Sequence, residues 1–424
     1  MKKVFKFFAI LILAFLARAV VRRYRPRVVM VTGSVGKTST KDAVAAVLAT
    51  RFFVRKSEKS FNSEFGVPFT ILGVGNPWND PLKWFSVIKS ALSLLVLPNH
   101  YPNMLVLEVG SGKPGDLAQI LKIATPDMVV VTRLPEVPVH VEAYASPEAV
   151  REEEFSPAYA LAPEAPLIIC ADDPYAIEHA LRSSARVTSF GSAADALVRV
   201  GAIDFYTEEG RVVGMRTSVR CGEEEGAIVV KGSVGRTQVV PAAAALAAGH
   251  AFQIPLEEAL RALDAYVPPP GRGRIFAGRN GSIIIDDSYN ASPIAVEEAL
   301  STLKAFPGAK RRIAVLGDML ELGRYSVMEH ARIAPIAGAT ADIIVTVGIR
   351  ARSFASEPGS AEVLSFDNSY EAAKTLYELV QEGDVVVVKG SQSVRTERVV
   401  EALLADAGDV ARLARQEEKW RQKM

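Results

Sequence analysis

The chain has 424 residues, enough at roughly 150 per domain for about three domains, or two large ones with an appendage. Hydrophobic residues make up 49% and charged residues 23%, which supplies a sizeable core and excludes a disordered or low-complexity chain. Lys plus Arg number 49 against 48 Asp plus Glu, so no overall field favours nucleic acid, and two cysteines, Cys170 and Cys221, are too few for a disulfide framework or a zinc site. Both are expected to be buried, inert thiols of a reducing compartment.

The chain opens on Met-Lys-Lys, an apolar run from Phe7 to Ala17, and then Arg18, Arg22, Arg23, Arg25 and Arg27. That run is shorter than the ~20 residues that cross a bilayer, and even Val4 to Val21 contains Lys6 and Arg18. Nothing resembles a small-residue cleavage site, which argues against a removed secretory signal. Two readings remain: a helix on the inner face of a membrane with its basic residues at the headgroups, or an apolar helix docked on the protein. Basic residues on both sides of the run favour the first, a peripheral contact of residues 1–26 with the inner-membrane surface from the cytoplasmic side.

From Arg27 a β-branched run, Val28-Val29-Met30-Val31, leads directly into Thr32-Gly-Ser-Val-Gly-Lys-Thr-Ser-Thr40 and then a helical stretch, Asp42 to Leu48. A buried strand, a glycine-rich turn and a helix N-terminus in that order form an anion cradle, with backbone N–H groups and the helix dipole facing phosphates. Thr32, Gly33, Ser34, Val35, Gly36, Lys37, Thr38 and Ser39 are thus the expected ATP loop. Lys37 would reach the β/γ-phosphates, and the Thr38 hydroxyl would ligate Mg²⁺. The general motif places Gly six residues before the Lys, where this chain has Val31, so the match is to the shorter Gly-x-x-Gly-Lys-Thr form.

Thr32–Thr40 resembles the ATP loop of the Mur ligase family, the ATP-dependent amide ligases of peptidoglycan precursor synthesis. Phe61-Asn-Ser-Glu-Phe-Gly-Val-Pro68, Ile285-Asp-Asp-Ser-Tyr-Asn-Ala-Ser-Pro293 and Val315-Leu-Gly-Asp-Met-Leu-Glu-Leu-Gly323 extend the likeness from about Arg27 to the C-terminal region. Together they are similar to the members that add D-alanyl-D-alanine to a UDP-N-acetylmuramoyl-tripeptide. The resemblance implies an α/β fold: a central P-loop domain with a mostly parallel sheet over residues 27–270, and a C-terminal Rossmann-like α/β domain over 271–424. It implies a cytoplasmic enzyme with ATP and Mg²⁺ as cofactors and small-molecule partners, namely a cell-wall precursor and an amino acid or dipeptide. Such ligases also carry an N-terminal domain that grips the UDP-linked sugar. Here the ATP loop starts at Thr32, and that domain is expected to be absent.

The same resemblance assigns roles. Glu108, at the end of the apolar strand Met104-Leu-Val-Leu-Glu108, and His140, beyond the strand Met128–Thr132, are metal ligands with Thr38, and Lys37 and His140 are catalytic. The family has a carbamoylated lysine a short way on, where this chain has Glu154 in Arg151-Glu-Glu-Glu-Phe155. Glu154, or Glu153 with a one-residue slip, is either an unmodified carboxylate doing the same work or part of a solvated acidic helix face. Asn62 and Ser63 lie in the loop near phosphates and substrate. Pro268-Pro-Pro-Gly-Arg-Gly-Arg274 is a stiff hinge holding two candidates, Arg272 and Arg274, for a phosphate-binding arginine. The strand Ser282–Ile285 delivers Asp286, Asp287, Tyr289 and Asn290 to the ligand edge of a sheet, with Asp286, Tyr289 and Asn290 at the nucleotide.

Apolar strands Ile313–Leu316, Ile343–Val347 and Val385–Val388 alternate with helical stretches, the pattern of a parallel sheet covered by helices. Asp318, Lys389 and Ser391 fall at positions that face the substrate in the family, and Glu321 and His330 at its interdomain cleft. The chain departs from the family at Thr237, Gln238 and Pro241, near the adenine, and at Gln392 in place of an arginine that Arg395 can replace. Another ATP-dependent amino-acid or polyglutamate ligase, and a non-catalytic nucleotide-binding scaffold, are the competing functions. Trp84–Val96 is a second apolar helical stretch, read first as core and second as a membrane contact.

Overall fold

A computed structural model describes residues 2–58, 60–77, 80–417 and 420. The first sheet contains β1 (Arg27–Thr32), β2 (Val54–Lys56), β3 (Met104–Glu108), β4 (Met128–Val131), β5 (Pro166–Cys170), β6 (Arg186–Gly191), β7 (Val198–Glu208), β8 (Arg211–Cys221) and β9 (Glu224–Lys231). Their order is β2-β3-β1-β4-β5-β6-β7-β8-β9. Neighbours are parallel from β2 through β7 and antiparallel from β7 to β9. The sequence explains the change. β3 and β4 are buried along their whole length, as strands covered by helices on both faces must be, whereas β7 and β8 alternate buried and exposed positions and leave one face in water.

The second sheet contains β10 (Arg274–Ala277), β11 (Ile283–Asp287), β12 (Arg311–Gly317), β13 (Ile343–Val347), β14 (Glu362–Phe366) and β15 (Asp384–Lys389). In the order β10-β11-β15-β12-β13-β14 only β10 runs antiparallel to its neighbour. The expected α/β architecture with two sheets is the one observed. β2, β5, β6, β10, β14 and the β7–β9 meander were not anticipated; β2 has only three residues, and β14 is an edge strand with polar positions at both faces.

One continuous apolar cluster joins the sheets. It runs from Val29 and Val31 through the Arg236–Ala251 helix and Leu300 and Leu303 of the Pro293–Ala305 helix to Ile285 and Val387. Ala242 to Ala248 are all buried, so the small side chains let this helix sit against the Lys37–Leu48 helix and the sheet together. Pro241, expected in the first turn of that helix, lies one turn further in, where its ring removes a main-chain donor.

The opposite face of the first sheet is covered by the Lys2–Tyr24, Gly66–Leu72 and Pro81–Val96 helices, among others. The N-terminal helix is therefore docked on the protein through Leu13, Leu16, Ala17 and Val20. Among the described residues no helix is long and apolar enough to cross a membrane. Cys170 and Cys221 are both buried, and burial pushes the Cys170 thiol up to about 11.

Candidate active site

β1 is flanked by β3 on one side and β4 on the other, so the chain leaves it at a switch in strand order, where open α/β sheets form a crevice at their carboxyl ends. The loop after Thr32 lies there. Ser34 N–H donates to Arg133 O at 2.8 Å, pulling the loop against the end of β4. That closeness requires glycine at position 33, with φ of 112°: a Cβ would stand 2.4 Å from Thr132 Oγ1. The Lys37–Leu48 helix then starts directly, with its first N–H groups unclaimed by any helical carbonyl.

Thr38 Oγ1 donates to Glu108 Oε1 at 3.1 Å and lies 2.7 Å from Ser60 Oγ. Glu108 is brought there by register, since it pairs with Val31 across β1 and β3. Burial pushes its pKa up, against the opposing charges of Lys41 and Lys37, and its Oε2 is buried with no hydrogen-bond partner.

Glu154 completes this floor. Ser146 and Pro147 start the Pro147–Tyr159 helix, with Ser146 Oγ accepting from Ala149 N–H at 3.2 Å. Its spacing then puts Val150, Arg151, Glu154, Phe155 and Ala158 on the buried side. Thr32 Oγ1 donates to Glu154 O at 2.6 Å, Ser34 Oγ donates to the Glu154 carboxylate, and Lys37 Nζ lies 3.7 Å from Glu154 Oε1. Glu154 is 1% exposed, so the solvated-face reading does not hold. Nor does the one-residue slip: Glu153 turns away and accepts the Gly115 and Leu117 N–H groups at 3.1 and 3.0 Å. Burial pushes the Glu154 pKa up despite Lys37, and its Oε1 has no hydrogen-bond partner.

Across the crevice, His140 has a left-handed backbone (φ 67°) and places Nδ1 3.1 Å from Glu321 Oε2, a contact between the loop after β4 and the loop after β12. It holds the Glu321 pKa below the usual carboxylate range. Ser34, Lys37, Thr38, Glu108, His140 and Glu321 line a cavity of about 870 Å³ between the two sheets, and Glu154, which touches Ser34 and Lys37, does not itself reach its wall. A second cavity, of about 170 Å³, lies on the other side of Val35 and Gly36, walled by Phe190, Val240, Pro241 and Ile294 and rimmed by Arg133, Asp172, Arg236 and Glu298.

Residues 31–249 match the Mur ligase middle domain, and residues 271–392 match the glutamate ligase domain of Mur ligases. The chain belongs to the Mur ligase family. It is 28% identical over 396 residues to the UDP-N-acetylmuramoyl-tripeptide–D-alanyl-D-alanine ligase of Bacillus subtilis, covering 92% of this chain and 78% of that one. With the ligase of the same name from Escherichia coli it shares 26% identity, over 89% of this chain and 76% of the other. The crystal structure of MurF ligase from Thermotoga maritima in complex with ADP superposes with a TM-score of 0.76 at 27% identity, covering 93% of this chain and 83% of that one.

In this Mur ligase, Ser34, Val35, Gly36, Lys37, Thr38, Asn62, Glu108, His140, Arg272, Tyr289, Asn290 and Ser391 all line the larger cavity. Gly273 (φ 65°) helps to aim Arg272, because a Cβ there would meet Val234 O at 2.4 Å; the guanidinium lies 4.4 Å from the Tyr289 ring centre. Arg274 does not line the cavity. Its Nε and Nη1 donate to Pro268 O and Arg412 O at 3.1 and 3.2 Å.

Other expected contacts are likewise spent inside the protein. Lys389 is buried and donates to Asp287 Oδ2 at 2.6 Å and Asn290 O at 3.1 Å, tying β15 to the end of β11. Asp318 Oδ1 accepts the Ala351 N–H at 2.7 Å. Asp286 is fully buried, with Oδ1 bound by Ser288, and burial pushes its pKa up to about 6. Ser63 Oγ accepts the Gly66 N–H, and Thr32, Gly33 and Ser39 lie behind the loop rather than on the cavity wall. His330 is buried, with Nε2 accepting the Met319 N–H at 3.0 Å and Nδ1 donating to Ser326 O at 2.7 Å, so it braces the 318–320 loop as a neutral ring.

Ser60 and Trp420 also line the cavity and were missed. Ser60 is one residue before the Phe61–Pro68 segment and was within reach of that motif. Trp420 had no sequence signal: it is positioned by a tail that Arg415 ties to Ser288 O and Glu397.

The donors around Thr38 suit a magnesium ion. The Thr38 hydroxyl and the buried Glu108 carboxylate, which keeps one oxygen without a partner, are hard oxygen donors, and the buried Glu154 carboxylate beside Lys37 holds another such oxygen. Thr38, Glu108 and His140 could hold such an ion, and Glu154 could support it.

Proposed function

We propose that this protein is an ATP-dependent amide ligase of the MurF type that adds D-alanyl-D-alanine to a UDP-N-acetylmuramoyl-tripeptide in peptidoglycan synthesis, in the cytoplasm, through an acyl phosphate. The observation that carries the reading is the meeting of Lys37, Thr38 and Glu108 at the carboxyl ends of β1 and β3, on the wall of one cavity. The printed names of the Bacillus subtilis and Escherichia coli relatives support the choice of substrates.

The chemistry follows from these positions. The N–H groups at the start of the Lys37–Leu48 helix and the Lys37 ammonium face the phosphates, and Arg272 approaches from the second sheet over Tyr289. Magnesium, bound by Thr38, Glu108 and His140, would neutralise phosphate charge there. The substrate carboxylate attacks the terminal phosphorus as the bond to ADP breaks. The amine nitrogen then attacks the acyl carbon, phosphate leaves with the electron pair of the C–O bond, and the amine gives up a proton. The smaller cavity, apolar and beside Gly36, is where we place the adenine ring, against Val240, Pro241 and Ile294.

Phosphate release and product mass, with UDP-N-acetylmuramoyl-tripeptide and D-alanyl-D-alanine, test the reading. Release with glutamate acceptors alone would favour a polyglutamate ligase, and nucleotide binding with no turnover on any acceptor would favour a scaffold. Lys37→Ala should abolish turnover and weaken nucleotide binding by about tenfold or more, the loss of one charge-assisted phosphate contact. Unchanged affinity in that variant would remove the basis of the proposal.

A further inference from the structure

Two neighbouring helices are apolar on the side that faces away from the protein. In the Lys2–Tyr24 helix, Leu13, Leu16, Ala17 and Val20 are buried, while Phe8, Leu11, Ile12 and Phe15, at helical spacing on another face, are exposed, Phe15 by 70%. Beside it, the Pro81–Val96 helix buries Val87, Ala91 and Leu94 and exposes Leu82, Phe85, Leu92 and Val96, Phe85 again by 70%. The helices are tied together by Tyr24 Oη, which donates to Leu94 O at 2.8 Å. Isolated exposed leucines need no explanation, but two adjacent helices with large apolar side chains on their outer faces mark a surface that something covers.

Charge selects the partner. Residues 2–27 contain eight Lys and Arg and no Asp or Glu, and the second helix carries Lys89 and Lys83, the latter paired with its N-cap Asp80 at 3.8 Å, with no further acid through residue 103. The exposed stripe Phe8, Leu11, Ile12, Phe15 continues at the same spacing into Arg18 and Arg22, both exposed. Two such faces would repel each other, which disfavours a second copy of the chain. A layer of anionic headgroups over acyl chains complements both features, since cations sit at the phosphates while aromatic and aliphatic side chains enter beneath them.

We propose that the outer faces of these two helices dock the protein on an anionic bilayer surface, without crossing it. Phe8, Phe15 and Phe85 enter the acyl boundary, and Arg18, Arg22 and Lys89 lie at the headgroup phosphates. Neither helix is long and apolar enough to span, so the contact is peripheral and salt-sensitive.

The test is co-sedimentation of the full chain with vesicles of phosphatidylcholine alone or with about 30 mol % phosphatidylglycerol. The expected result is partition into the anionic vesicles that falls by about tenfold in the neutral ones, and again at about 0.5 M salt. Phe15→Ser with Phe85→Ser should reduce partition by about tenfold or more at an unchanged melting temperature, since both side chains are exposed. Arg18→Gln with Arg22→Gln should remove the preference for anionic vesicles. Absence of binding, or equal binding to both vesicle types, would overturn the proposal. So would a concentration-dependent dimer in sedimentation velocity that Phe15→Ser abolishes, which would assign the face to a second copy. None of these readouts uses ATP, so they stand apart from the ligase reading.

Discussion

Replacing Glu154 by Gln keeps the shape of the side chain and removes one buried negative charge. The Ser34 hydroxyl can still donate to the amide oxygen, so the loop keeps its anchor. What disappears is the attraction to Lys37, 3.7 Å away, on the order of 4 kcal/mol at an effective dielectric near 20, and the anion offered to a metal held by Thr38 and Glu108. If most of that is felt in the phosphoryl-transfer step, turnover should fall roughly 10²- to 10³-fold, at about 1.4 kcal/mol per decade, with a parallel rise in the magnesium needed for half-maximal rate. The assay is initial-rate phosphate release over a magnesium titration. Unfolding does not confuse it. Burial raises the Glu154 pKa, so the ionised carboxylate is a net cost to the folded state at neutral pH, and Gln removes that cost. A second arm uses the size of the group. Wild type should be indifferent to removal of dissolved CO₂, whereas Glu154→Lys, with a longer stem, should recover activity only when bicarbonate is added and the lysine is carbamoylated. Full activity and unchanged magnesium dependence in Glu154→Gln, or loss of wild-type activity on stripping CO₂, would refute the reasoning.

Asp286 should make stability depend on pH. Its folded pKa of about 6 lies above the ordinary 3.8, so the folded state holds the proton better, and the stabilisation present below about pH 4 is lost as pH rises through 6, about 3 kcal/mol in all. Asp286→Asn should therefore melt higher than wild type, with a gap that widens by about 1.5 kcal/mol between pH 5 and pH 8; a gap independent of pH would contradict the assignment. The two hinge arginines should separate cleanly in kinetics and melting. Arg272→Ala is expected to raise the KM for ATP roughly 10- to 100-fold with little change in melting, the worth of a charge-assisted contact. Arg274→Ala, which loses hydrogen bonds to Pro268 O and Arg412 O, should lower the melting temperature by a few degrees and leave that KM within about twofold.

The parts of the fold that were legible in sequence are those where one face or both faces of an element are uniformly apolar. Val28–Val31, Met104–Leu107 and Val385–Val388 announce buried parallel strands because nothing polar interrupts them. The β7–β9 meander announces itself weakly: its alternation is broken by register shifts between Val200 and Ile203 and between Tyr206 and Thr207. The glycine-rich loop was legible for a different reason, since its backbone demands are local, and Gly33 is needed whatever the rest of the chain does.

Charged side chains at strand ends were harder, because their roles depend on what arrives from distant parts of the chain. Glu108, Asp287 and Lys389 all end apolar strands, and spacing alone treats them alike. Register separates them: Glu108 emerges beside Thr38 and keeps an unpartnered oxygen, whereas Lys389 emerges opposite Asp287 and is neutralised by it at 2.6 Å. The acidic triplet Glu152-Glu153-Glu154 shows the same dependence over three residues. A helix turns each by about 100°, so one faces Arg182 and solvent, one caps the Asp116–Leu121 helix, and one lies under the loop beside Lys37. Only the third has a carboxylate oxygen held out of water without a hydrogen-bond partner. That is an arrangement a stable protein keeps at a cost of about 1–3 kcal/mol, and the cost is offset when a bound cation takes the place of the missing donor.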